Sequence, residues 1–91
     1  MSIDEQIQKA CVFLKQQGSK KVFLFGSRLS GNSRPESDID LGVQGLPPEK
    51  FFSAYSALDE IVTAPVDLTD FDAQPRLFAT LSQLGELEEI V

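Results

Sequence analysis

Histidine is absent from this chain, and that absence excludes a good deal of chemistry. There is no imidazole to act as a general base, and the commonest nitrogen ligand of zinc is missing, which argues against a zinc site. Cysteine occurs once, as Cys11, so no intramolecular disulfide can form. A lone thiol fits a reducing compartment, and a cytoplasmic location is expected. No apolar run is long enough to span a membrane, and the N-terminus lacks the basic, apolar, small-residue order of a secretion signal, so no membrane partner is expected. Positive charge is also scarce. Eight Lys and Arg stand against fourteen Asp and Glu, for a net charge of −6. General affinity for nucleic-acid backbones needs basic patches, so none is expected here.

What remains is ordinary for a small folded domain. Hydrophobic residues make up 42% and charged residues 24% of 91 residues, which reads as one domain, 1–91. Such a chain buries about 60–65% of its unfolded surface, enough for a modest core without staples.

The order of elements follows from periodicity. Ile3, Ile7, Ala10, Cys11 and Leu14 recur at helical spacing, with Val12 and Phe13 widening the apolar face, so a helix is expected over Ile3 to Gln17. Ser2 and Glu5 stand in capping-box positions, and Gly18 ends the helix. Lys21 to Phe25 reads as a strand, and the apolar run Val22-Phe23-Leu24-Phe25 suggests that it is buried. A second strand carries Asp38-Ile39-Asp40-Leu41 and runs out at Gly45. Pro47-Pro48 opens a further helix with Phe51, Phe52, Tyr55, Leu58, Ile61 and Val62 as its apolar face. Val66 to Phe71 reads as a third strand, with Val66 and Leu68 on one face and Asp67, Thr69 and Phe71 on the other. Gln74 to Leu84 is a last helix, and Ile90-Val91 either adds a strand or meets a partner. Asp70 and Asp72 read as solvated acids, and Tyr55 as a core or rim residue. The expected class is α/β (α+β): a small mixed β-sheet with helices packed mainly on one face and the acids of the second and third strands on the other.

Chemistry concentrates in two short stretches. Gly26-Ser27 is a sharp turn leaving the first strand, and a short helix is expected to start at Ser27. Glycine lets backbone approach a ligand, and a helix N-terminus presents free N–H groups to anions. Asp38 and Asp40 alternate with Ile39 and Leu41, so the two carboxylates share one face, about 6–7 Å apart at the backbone. Like charges held that close repel, and a divalent cation relieves the repulsion. Carboxylate oxygens suit Mg²⁺, which commonly takes one or two carboxylates plus substrate phosphates. One stretch is therefore suited to phosphate and the other to the metal that neutralises it.

Together these residues resemble a known signature. Leu24-Phe25-Gly26-Ser27-Arg28, then Ser37-Asp38-Ile39-Asp40-Leu41, is similar to the motif of the polymerase beta-like nucleotidyltransferase superfamily, and closest to its minimal nucleotidyltransferases. The resemblance covers nearly the whole chain and implies the polymerase beta-like nucleotidyltransferase fold. It also implies an NTP, ATP foremost, bound at Gly26, Ser27, Arg28 and Ser37. One or two Mg²⁺ ions would be held by Asp38, Asp40 and Asp67, the third acid of the family, and the same three acids would be catalytic. Arg28 has two readings, contact with nucleotide phosphates or a salt bridge to Asp38 or a neighbouring acid. Ser37 also has two, orienting Asp38 or ending the loop. Ser30 departs from the family string, which has a second arginine there.

The minimal family is similar to antitoxins paired with HEPN-family toxins, some of which transfer AMP to a tyrosine of the toxin. The resemblance thus implies a nucleotidyltransferase acting on a protein hydroxyl, with a HEPN toxin as partner. Whether the chain forms homo- or hetero-oligomers stays open. The alternative is a non-catalytic module that binds nucleotide or neutralises its partner by complex formation. Ser30 favours that alternative, and the three acids oppose it.

Overall fold

In the computed structural model of the chain, residues 2–26 and 38–90 are described. The expected short helix from Ser27 and the polar loop from Gly31 to Glu36 lie outside them. The described elements run α1 (Ile3–Gln16), β1 (Lys21–Phe25), β2 (Ile39–Gln44), a 3-10 turn (Pro48–Lys50), α2 (Phe51–Ile61), β3 (Val66–Asp70), α3 (Pro75–Leu84) and β4 (Leu87–Ile90). The strands form one mixed sheet in the order β3-β2-β1-β4. β1 pairs antiparallel with β2 and β4, whereas β2 and β3 are parallel. A parallel pair needs a crossover connection, and α2 provides it. The C-terminal tail resolves as a strand against β1, one of the two alternatives its sequence left open.

The start of α1 is set locally. Ser2 Oγ accepts a hydrogen bond from the Glu5 backbone N–H at 3.2 Å, satisfying one of the otherwise orphaned amides of the first turn. Asp4 and Glu5 lie in that turn and Lys15 in the last, each favoured by the helix dipole.

The main core lies between one face of the sheet and helices α1 and α2. Val22, Ile39, Leu41, Val43, Val66, Leu68 and Ile90 come from the strands; Ile7, Ala10, Cys11, Leu14, Ala54 and Leu58 come from the helices. Leu14, Leu41 and Leu58 are completely buried, and each contributes about 1.5–3 kcal/mol by leaving water. One buried polar side chain joins this layer. Gln6 Oε1 accepts from the Thr63 backbone N–H at 2.8 Å, tying α1 to the turn before β3.

The opposite face has a second, aromatic core. Phe23, Phe71 and Phe78 meet edge-on, with centroids 5.3–5.9 Å apart, and Phe25 joins at 5.5 Å from Phe71. This cluster brings α3 onto the sheet through Phe78, so two helices cover one face and one covers part of the other. Gly42 makes the cluster possible, because a Cβ there would overlap the Phe71 ring.

Two apolar positions differ from the pattern read along the sequence. Phe52 is 79% exposed. It stands about 100° around the helix from Phe51, off the stripe of Phe51, Ala54, Tyr55 and Leu58. Val12 is also exposed, beside rather than on the line of Ile7, Ala10, Cys11 and Leu14. Gly42→Ala is expected to overpack the aromatic core and to destabilise the fold by about 1–3 kcal/mol, read as a lowered urea midpoint with an unchanged slope.

Candidate functional site

The acids are brought together by strand register. Asp40 lies opposite Phe25 on one side and Asp67 on the other, so the three form one row across β1, β2 and β3. Neighbouring strands are about 4.8 Å apart. Alternation places Asp40 and Asp67 on the face away from α1 and α2, with Ile39, Leu41, Val66 and Leu68 buried behind them. Asp38 immediately precedes β2 and is exposed. The expected shared face of the second- and third-strand acids is therefore present, and it is divided. The aromatic cluster and α3 close one half, and the acid row occupies the other.

Gly26 completes the row. It leaves β1 at φ +83°, a left-handed conformation that glycine adopts without strain. A Cβ at this position would overlap the Asp40 carboxylate. The turn backbone therefore rests directly against the half-buried acid, as a glycine that brings backbone to a charged site should. Ser27, Arg28 and Ser37, the other expected nucleotide-binding residues, lie outside the described residues, as do Ser30 and Arg34.

Electrostatics mark Asp40 as the centre. Burial raises its carboxyl pKa, and the charges of Asp67 and then Asp38 push it further in the same direction. The three acids thus share one electrostatic neighbourhood. Among the described residues, however, no group of three His, Cys, Asp or Glu side chains converges into a ready metal cluster. The donors are all carboxylate oxygens with accumulated negative charge. They fit a hard divalent cation whose coordination is completed by water and phosphate oxygens, as Mg²⁺ prefers, rather than an all-protein cage.

Sequence patterning missed two further features. Tyr55, on α2, donates its hydroxyl proton to Asp67 Oδ1 at 3.0 Å. Its phenol pKa is raised by burial first and by this hydrogen bond second, while a backbone hydrogen bond with Leu68 acts in the opposite direction. The helical stripe located Tyr55 on the packed side of α2, but its reach to β3 depends on the turn between the two elements. Asp70 and Asp72, expected to be merely solvated, carry structural bonds. Asp72 Oδ2 accepts from the Gly45 N–H at 2.7 Å, and Asp70 Oδ1 accepts from the Asp72 N–H at 2.9 Å. The first joins the turn after β2 to the turn after β3, and the second is local to the latter. Arg76 is exposed in the first turn of α3.

Comparison with known proteins agrees with the fold. The family described as polymerase beta, nucleotidyltransferase, matches residues 5–86. No curated protein matches the chain. Among solved structures, a toxin–antitoxin complex with AMP-PNP is similar at a TM-score of 0.59 and 26% identity, over 76% of this chain and 57% of that one. A mutant of the toxin–antitoxin complex MntA-HpeT is similar at a TM-score of 0.57 and 21% identity, over 79% of this chain and 59% of that one. The chain thus spans a little over half the length of the structures it resembles.

The raised pKa of Asp40 has a consequence for stability. Its folded-state pKa lies above its unfolded value, so the protonated carboxyl favours folding. That contribution is fully present below about pH 4 and is lost as pH rises through the folded pKa. Asp40→Asn keeps the group neutral. In metal-free buffer the variant is expected to have a higher urea midpoint than the wild type at pH 7, and the gap is expected to close below about pH 4.

Proposed function

The chain belongs to the polymerase beta nucleotidyltransferase family, and from that membership we propose that it is a metal-dependent nucleotidyltransferase, transferring AMP from ATP to a hydroxyl of a protein acceptor. The observation that carries this reading is the placement of Asp67 opposite Asp40, with the Gly26 backbone packed against the Asp40 carboxylate. A row of acids beside a glycine turn suits a nucleoside triphosphate better than it suits a neutral ligand.

The roles follow from the chemistry of each group. Backbone N–H groups at Gly26 and Ser27 receive phosphate oxygens, and Arg28 adds a positive charge there. Asp38, Asp40 and Asp67 would hold Mg²⁺. When bound, that ion offsets the charge of the acids and of the phosphates. Asp67 is the exposed acid of the row and accepts the proton of the incoming hydroxyl. The acceptor oxygen bonds to the α-phosphorus as the bond to pyrophosphate breaks. Ser37 steadies Asp38.

The acceptor is assigned by charge and by likeness. A net charge of −6 disfavours a nucleic-acid acceptor. A neighbour 26% identical to this chain is a toxin–antitoxin complex with AMP-PNP, which favours ATP as substrate and a toxin as partner. A HEPN toxin is the partner assigned here, with this chain as the antitoxin. The second reading, neutralisation by binding alone, is favoured by Ser30 standing where the family has arginine.

Incubation with Mg²⁺, α-labelled ATP and the product of the neighbouring gene separates the two readings. Label is expected on the partner. Asp67→Asn is expected to lower the transfer rate about 10²–10⁴-fold, and Asp38→Asn to abolish labelling while both variants still co-purify with the partner. No label with wild-type protein and an intact complex would favour the binding reading.

A further inference from the structure

We propose that Tyr55 is a positioning residue that fixes Asp67, engaging one carboxylate oxygen and leaving the other directed to the site. Asp67 lies on β3, an edge strand of the sheet, and is exposed. An exposed aspartate on a strand edge is free to rotate about its side-chain bonds, and holding it in one orientation costs entropy. A carboxylate that must meet a metal or a proton within a few tenths of an ångström needs that freedom removed beforehand.

Tyr55 supplies the restraint. Its Oη lies 3.0 Å from Asp67 Oδ1, within good hydrogen-bond range. The hydroxyl is the donor of this bond, so its single proton is directed at Asp67. The ring is itself held, packing edge-on against Phe51 with centroids 6.0 Å apart. A rigid aromatic lever on α2 therefore sets the angle of an acid on β3. Oδ1 is occupied by the phenol, and Oδ2 remains for a metal ion or an acceptor proton. A role in core packing alone would need the ring and not the hydroxyl, and Tyr55→Phe separates the two.

Tyr55 is the only tyrosine and the chain has no tryptophan, so its intrinsic fluorescence reports this one phenol. Three measurements follow on wild type, Tyr55→Phe and Asp67→Ala. Tyrosine emission is expected to rise in Asp67→Ala, because the carboxylate that quenches it is gone. Mn²⁺ binding, measured by the loss of free-ion resonance in the presence of a non-hydrolysable ATP analogue, is expected to weaken about 10–100-fold in Tyr55→Phe. In the transfer assay kcat is expected to fall by a similar factor, about 10–100-fold, with KM for ATP unchanged. The double variant should be no worse than Asp67→Ala alone. Thermal melts of Tyr55→Phe close to wild type confirm that the ring still packs.

Unchanged emission in Asp67→Ala would overturn the contact. Unchanged Mn²⁺ affinity and kcat in Tyr55→Phe, or a loss that adds to that of Asp67→Ala, would overturn the positioning role. The catalytic half of the inference rests on the transferase reading, but the two fail differently. A wild-type protein that transfers no label, yet binds Mn²⁺ and loses affinity in Tyr55→Phe, overturns the transferase and supports the positioning. A wild-type protein that binds no Mn²⁺ overturns both.

Discussion

The alternation of side chains along β2 is the constraint on which the rest depends. Ile39, Leu41 and Val43 point into the main core, while Asp40 and Gly42 point to the other face. The same strand therefore anchors the sheet under α1 and α2, supplies the half-buried acid, and provides the flat spot that admits Phe71. A slip of one residue would exchange the faces, burying Asp40 among leucines and exposing three core residues. Both neighbouring strands of β2 are tied to that register. β1 carries Gly26 to the Asp40 carboxylate, and β3 carries Asp67 to its side. The hydrophobic effect sets the register, and the site geometry follows from it.

The site works against the fold that holds it. Asp40 is partly removed from water beside two other acids, which makes its charged form unfavourable. Such an arrangement is tolerated because the strand residues behind it, Ile39, Leu41, Val66 and Leu68, are buried and apolar and the strands on either side are paired. The repulsion that opposes folding is one that a divalent cation would relieve.

Much of this was legible in the sequence, for local reasons. The helix from Ile3, the strand from Lys21, the paired Asp38 and Asp40, and Asp67 between Val66 and Leu68 all follow from spacings of two or of three and four. Phe52 was misplaced because an apolar residue adjacent to a helical stripe looks like part of it. Phe71 was placed on the correct face, but Phe23 lies far away in sequence and Phe78 sits on the next helix, whose packing side the spacing does not give, so the second core was invisible. The bonds of Asp70 and Asp72 were missed for a related reason. That of Asp72 to Gly45 joins two turns that only the parallel pairing of β2 and β3 brings together, and that of Asp70 closes the second turn locally. Spacing reveals which side of an element a residue takes. It does not reveal what crosses from one element to the next.

Tyr55 illustrates where these two kinds of information meet. Its position on the apolar stripe of α2 is a matter of helical period, and its ring is packed as that period requires. Its hydroxyl, however, extends past the packed layer to the free edge of the sheet, where β3 presents Asp67. An amphipathic side chain at a rim can serve both environments, apolar along its body and polar at its tip. Among the described residues β3 is an edge strand, and none of them pairs with its outer side. The edge that leaves Asp67 exposed is also the route by which α2 reaches it, so the crossover that makes the parallel β2–β3 pair possible also bonds to the acid on the second strand of that pair.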